Sequence, residues 1–196
     1  MMSSNDKLTL KVSLLGDSGV GKTSLVSRWI TGEFQNDLKP TIGTNHQTKT
    51  LTIKEEEIVL FLWDTAGQEK FQSLTPLFVR QSSAVVIVVN SNSAEIGKSV
   101  NNWTNLVRKE CGNFPPIILA VNKIDLIEEL TTFASRITSE YSNMVSHVHF
   151  VSALSGEGVD SLFICAAEKG YLFVRESDIT TDSVATLVTK KDQSCC

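Results

Sequence analysis

Eight consecutive residues, Gly16-Asp17-Ser18-Gly19-Val20-Gly21-Lys22-Thr23, have the types and spacing of a phosphate-binding loop, G-x-x-x-x-G-K-[ST]. Glycines let backbone N–H groups turn toward phosphate oxygens, and a helix starting behind them adds partial positive charge. Lys22 is then placed to reach the β- and γ-phosphates, and the Thr23 hydroxyl to hold Mg²⁺. Asp17 to Ser24 form the expected phosphate cradle. A second group, Asn122-Lys123-Ile124-Asp125, follows the apolar run Ile117–Val121. The Asp125 carboxylate can accept from two adjacent donors, which guanine offers at N1–H and its amine and adenine does not. The group lies about a hundred residues beyond the loop, in an order that argues against a chance polar turn. Between them stands Trp63-Asp64-Thr65-Ala66-Gly67-Gln68-Glu69. Asp64 at a strand end can bind Mg²⁺ through water, Gly67 can bring its N–H close to a terminal phosphate, and Gln68 can orient an attacking water.

The elements that must position these groups read clearly. Leu8–Leu15 alternates and then turns apolar, as a strand entering a buried sheet does, and Leu25, Val26, Trp29 and Ile30 share one side of the helix that follows. The expected order is strand 8–15, helix 22–31, loop 32–43, strands 44–53 and 57–63, a loop with a short helix over 65–82, strand 84–90, helix 94–110, strand 116–121, helix 127–141, strand 146–151 and helix 158–170. Alternating β and α elements imply an α/β fold with a mostly parallel six-stranded sheet and helices on both faces. Strands 44–53 and 57–63 are joined by Lys54-Glu55-Glu56 alone, so they form the one antiparallel hairpin.

Length and composition are consistent with this order. The 196 residues, 41% of them hydrophobic, suit one cored domain with a tail, expected as a nucleotide-binding domain over 7–174 and a flexible Ser/Thr/Asp-rich tail over 175–196. A net charge of −4 gives no sign of nucleic-acid binding. Cys111 and Cys165 read as packing residues or free thiols, with no zinc or disulfide spacing. The start is polar without a signal-peptide core, and no run of about 18 apolar residues suggests a membrane span.

With GDSGVGKTS at 16–24, PTIGT at 40–44, WDTAGQE at 63–69, NKID at 122–125 and SAL at 152–154, the chain resembles a Ras-superfamily small GTPase, and the Rab branch most, over residues 7 to 171. The resemblance implies the P-loop NTPase, small G-protein fold and slow GTP hydrolysis to GDP and phosphate. It implies that Thr41 coordinates Mg²⁺ and the γ-phosphate, and that Phe34 packs on guanine opposite the Lys123 stem. It further implies that the Ala153 N–H meets the guanine oxygen in the loop Ser152-Ala153-Leu154. The terminal Cys195-Cys196 resembles the pair that many Rab proteins carry for double geranylgeranylation. Two lipid chains anchor a protein stably where one does not, and Lys190-Lys191 beside Asp192 is a thin basic support. No C-a-a-X pattern is present, which favours Rab over other signalling branches of the superfamily.

The function implied is a GTP/GDP switch in vesicle trafficking, on the cytoplasmic face of an intracellular membrane and cycling with the cytosol. GTP orders loops 32–43 and 65–75 for effectors, and hydrolysis releases them. The motifs hold no arginine finger, so a GTPase-activating protein is expected, along with an exchange factor, a GDP-dissociation inhibitor and the Rab prenylation machinery. The alternatives are a GTP-binding scaffold with little hydrolysis and a non-Rab signalling GTPase. Three places depart from the Rab pattern. Leu154 replaces a usual Lys, Asn45-His46 a usual acidic residue and Phe, and Phe78-Val79 a usual Tyr-Tyr. His46 reads as a half-exposed strand residue without a metal partner.

Overall fold

The computed structural model describes residues 7–37, 41, 44–65 and 75–191, by backbone alone beyond Ser177. Among the described residues six strands form one sheet in the order β2-β3-β1-β4-β5-β6. The strands are β1 Leu8–Leu15, β2 Thr44–Ile53, β3 Glu56–Thr65, β4 Ala84–Asn90, β5 Ile117–Asn122 and β6 His147–Val151. The helices are α1 Lys22–Thr31, α2 Thr75–Val79, α3 Ile96–Glu110, α4 Leu130–Tyr141 and α5 Val159–Lys191. Every pairing is parallel except β2 with β3.

The apolar runs are continuous because the inner strands are buried on both faces. Along β4, Val86 and Val88 enter one core with Leu25, Trp29, Leu162 and Phe163 from α1 and α5. Their neighbours Val85, Ile87 and Val89 enter a second core with Val100, Trp103, Val107 and Ile137 from α3 and α4. Successive strand side chains point to opposite faces, so one run fills both cores. Trp29 and Phe163 stack with centroids 4.6 Å apart and close the first core.

Several boundaries differ from expectation. The β2–β3 hairpin pairs down to Ile53 with Glu56, leaving a two-residue turn whose Lys54 and Glu55 have φ of 48° and 66°. That is the left-handed geometry a tight hairpin requires, here without Gly or Asn. A 3-10 turn, Ile124–Leu126, precedes α4, which begins at Leu130 and not 127. Helix α3 begins at Ile96 and not 94. The last helix does not stop at 170: its backbone is helical to Lys191, through the segment expected to be a flexible tail. No Gly or Pro follows Gly170 in that span, so nothing interrupts the backbone hydrogen bonds.

Candidate functional site

The carboxyl ends of β1, β3 and β5 converge on one side of the sheet, where open α/β sheets bind ligands. The loop after β1 turns tightly against its neighbours. A Cβ on Gly16, at φ 145°, would lie 2.2 Å from the Val88 carbonyl oxygen, and one on Gly21, at φ 98°, would lie 2.4 Å from Asn122 Nδ2. Glycine is therefore required at both positions by close approach as well as by torsion. Ser18 and Gly19 are exposed, Val20 is buried beneath them, and Ser24 is half-buried in the first turn of α1.

Lys22 is 5% exposed and folds back under the loop. Its Nζ donates to the Gly16 carbonyl at 2.7 Å and the Asp17 carbonyl at 2.9 Å. Burial lowers its pKa from 10.5 to about 8, opposed by the nearby charges of Asp64 and Asp17. An anion beside such a group would favour its charged form and raise its pKa back toward the ordinary value.

Three oxygen-bearing side chains from separate segments meet next to it. Thr23 Oγ1 donates to Asp64 Oδ2 at 2.6 Å, and Thr41 Oγ1 lies 2.8 Å from Thr23 Oγ1 and 3.4 Å from Asp64 Oδ2. Asp64 is 2% exposed, and its Oδ1 is buried with no hydrogen-bond partner among the described residues. Burial raises its pKa, opposed by the Thr23 hydrogen bond, Lys22 and the Thr41 hydrogen bond. A buried carboxylate oxygen without a donor suits a small hard cation, and hydroxyl and carboxylate oxygens are the donors that Mg²⁺ prefers. Among the described residues, no cluster of three or more His, Cys, Asp and Glu side chains could hold a metal ion, so a zinc-type centre has no basis there.

The residues expected to recognise the base form a second group, joined to the first by hydrogen bonds. Asn122, 1% exposed, donates from Nδ2 to the Val20 carbonyl at 2.8 Å and accepts the Ala153 N–H on Oδ1 at 3.1 Å. The Ala153 N–H, expected to face the guanine oxygen, thus donates to Asn122. Ser152 donates its hydroxyl to Asp125 Oδ1 and accepts the Ser155 N–H at 3.1 Å. Asp125 itself is exposed. Lys123 sits at φ 68°, uncommon for a residue with a side chain, and Ser91 holds its carbonyl by a 2.7 Å hydrogen bond. Arg28 on α1 steadies the same region by donating to the Ser155 carbonyl at 2.8 Å. Phe34 is half-buried against the α1–α5 core, and Leu154 is 54% exposed at the rim.

The structure therefore brings together Asp17 to Ser24, Thr41 and Asp64, and beside them Asn122, Lys123, Asp125, Ser152, Ala153 and Leu154. Gly67, Gln68, Cys195 and Cys196 lie outside the described residues. Sequence reasoning missed four supports that belong to no motif: Ser91 and Arg28, and Ser99 and Trp103 on α3, which both donate to the Asp17 carboxylate. On the outer face, Trp63 lies between His46 and Phe78, with ring centroids 6.3 and 6.1 Å away, and Lys11 Nζ sits 4.8 Å from the Trp63 centroid. Cys111 and Cys165 are both free thiols.

The Ras family profile matches residues 11–171. Human Ras-related protein Rab-22A is 38% identical over 159 residues, covering 79% of this chain and 80% of the relative. Ras-related protein RABG3b of Arabidopsis thaliana is 36% identical over 189 residues, covering 91% of each. Ras-related protein Rab7 of Cenchrus ciliaris is 33% identical over an alignment of 211 positions that spans both chains in full. The profile match and these relatives show that the chain belongs to the Ras family, as a Rab-type small GTPase.

Proposed function

We propose that this GTPase is a timed switch recruited to an intracellular membrane for vesicle traffic. The observation that carries the reading is the meeting of Thr23, Thr41 and Asp64 beside Lys22. Three segments of the chain contribute to one point, so what binds there can order the segment containing Thr41. Lys22 neutralises phosphate charge, and the loop N–H groups after Gly16 fix the phosphate chain. Thr23, Thr41 and Asp64 would hold Mg²⁺, which when bound supplies positive charge to the β- and γ-phosphates. Gln68 orients the attacking water, and Gly67 offers its N–H to the γ-phosphate. Asp125 selects guanine, with Lys123 and Phe34 on its faces. Ser152, Ala153 and Leu154 close the rim.

The nucleotide domain is 7–174. Residues 175–196 lead to Cys195 and Cys196, the double lipid anchor, which places the protein on the cytoplasmic face and lets it cycle with the cytosol. A GTPase-activating protein, an exchange factor, a GDP-dissociation inhibitor and the prenylation machinery are the partners, with effectors reading the GTP form. Among the described residues no helix is long and apolar enough to cross a membrane.

Single-turnover GTP hydrolysis on purified Mg²⁺-loaded protein, with Gln68→Leu as control, tests the switch. Slow turnover that the substitution slows further supports it. GTP held but not cleaved, with no difference between the two proteins, refutes it in favour of a scaffold. Chelation with EDTA provides a readout independent of turnover: it should speed nucleotide release from wild type and lose that effect in Thr23→Asn. Replacing Cys195 and Cys196 with Ser should leave the protein in the cytosol, and persistent membrane residence would defeat the anchor.

A further inference from the structure

Asp17 places a full negative charge inside a loop whose work is to hold polyphosphate, yet the structure gives that charge a place. Trp103 Nε1 donates to Asp17 Oδ1 at 3.1 Å, and the Ser99 hydroxyl donates to Asp17 Oδ2. Ser99 and Trp103 are four residues apart on α3 and so lie on one face of it. Both are buried, at 7% and 5% exposure. The backbone of Asp17 does something different, since its carbonyl accepts from Lys22 Nζ at 2.9 Å. Carbonyl and carboxylate thus have separate partners, the lysine under the loop and the helix beside it.

Between the loop and α3 lies a cavity of about 130 Å³, lined by Asp17, Ser18, Gly19, Ile96 and Ser99 among others. The loop is therefore not packed tightly against the helix there. The two polar bonds, and not close packing, fix where the carboxylate sits. Asp17 is exposed, so a carboxylate released from these bonds can leave α3, and wherever it nears the phosphates like charges repel.

We infer that Ser99 and Trp103 are positioning residues for nucleotide binding, pinning the Asp17 carboxylate against α3 and away from the phosphates. This rests on the reading of the Gly16–Thr23 loop as the nucleotide site. Freed, the charge opposes GTP more than GDP because GTP carries more negative charge, and added salt weakens the opposition.

The test measures the affinity of the full chain for fluorescent GDP and GTP analogues in Mg²⁺ buffer, at low and high salt. Trp103→Phe keeps the ring and loses the N–H, and Ser99→Ala removes the second donor. Together they should weaken binding roughly tenfold, with GTP affected more than GDP and both less at high salt. Adding Asp17→Asn to that pair removes the misplaced charge and should restore most of the affinity. Undiminished loss after Asp17→Asn would overturn the inference, because Trp103 would then be acting through packing. Unchanged affinity in the pair would overturn it too. If Trp103→Phe fails to fold by melting temperature, Ser99→Ala with and without Asp17→Asn makes the same comparison. Failure of the wild-type chain to bind either nucleotide would instead overturn the nucleotide-site reading itself.

Discussion

Asn122→Ala is the sharpest test of how the two halves of the site are held together. The side chain joins residues far apart in sequence, Val20 at a separation of 102 and Ala153 at a separation of 31. Truncation leaves the Val20 carbonyl and the Ala153 N–H both without their partner. An orphaned buried polar group costs about 1–3 kcal/mol. The space vacated by the carboxamide admits water, which places the sum near the lower end, at about 2–4 kcal/mol. For a chain of this size that lowers the melting temperature by about 6–12 °C. The assay is thermal denaturation of nucleotide-free protein followed by circular dichroism, with Asn122→Asp alongside. The Asp variant keeps the acceptor for Ala153 but sets a second, buried and charged acceptor against the Val20 carbonyl, so it should melt no higher than Asn122→Ala. A drop below about 2 °C for Asn122→Ala would refute the reasoning, since two lost buried bonds cannot be that cheap.

The remaining predictions probe single features. Lys22 titrates near 8 in the folded protein and at 10.5 in its ordinary state, so below pH 8 both states hold the proton and the folded form bears the full desolvation penalty. Between pH 8 and 10.5 the unfolded chain binds more protons, and the stability of nucleotide-free protein should rise with pH by at most about 3 kcal/mol. Urea denaturation across that range should show the rise in wild type and not in Lys22→Met; a flat wild-type profile would contradict the burial of a charged lysine. Gly16→Ala drives a Cβ to 2.2 Å from the backbone oxygen of Val88, and should abolish nucleotide retention and sharply reduce folded yield; a stable, nucleotide-loaded variant would show that the loop can move. Phe163→Ala removes the partner of the Trp29 ring from a fully buried site and should cost about 3–5 kcal/mol, read from denaturant midpoints.

Much of the site was legible along the chain because its chemistry is local. The Gly16–Thr23 spacing, Asp64 and the Asn122–Asp125 group each carry their proposed role within a few residues of a strand end, and the strand ends are marked by apolar runs. The parallel sheet was legible for a related reason: β4 and β5 are apolar almost throughout and β1 turns apolar toward its end, a pattern left by strands covered on both faces. Only the folded chain could show what connects these pieces. Asn122 reaches Val20, Thr41 and Thr23 meet at Asp64, and Ser99 with Trp103 takes the charge of Asp17. Those contacts span tens of residues and depend on which strands are neighbours, a long-range choice that no local pattern encodes. The turn at Lys54-Glu55 and the extent of α5 to Lys191 have the same character, since one adopts a geometry its residue types do not favour and the other lacks a stop signal. Local spacing determined which chemistry the chain carries. The sheet order, by bringing three strand ends to one place, decided that the chemistry forms a single site.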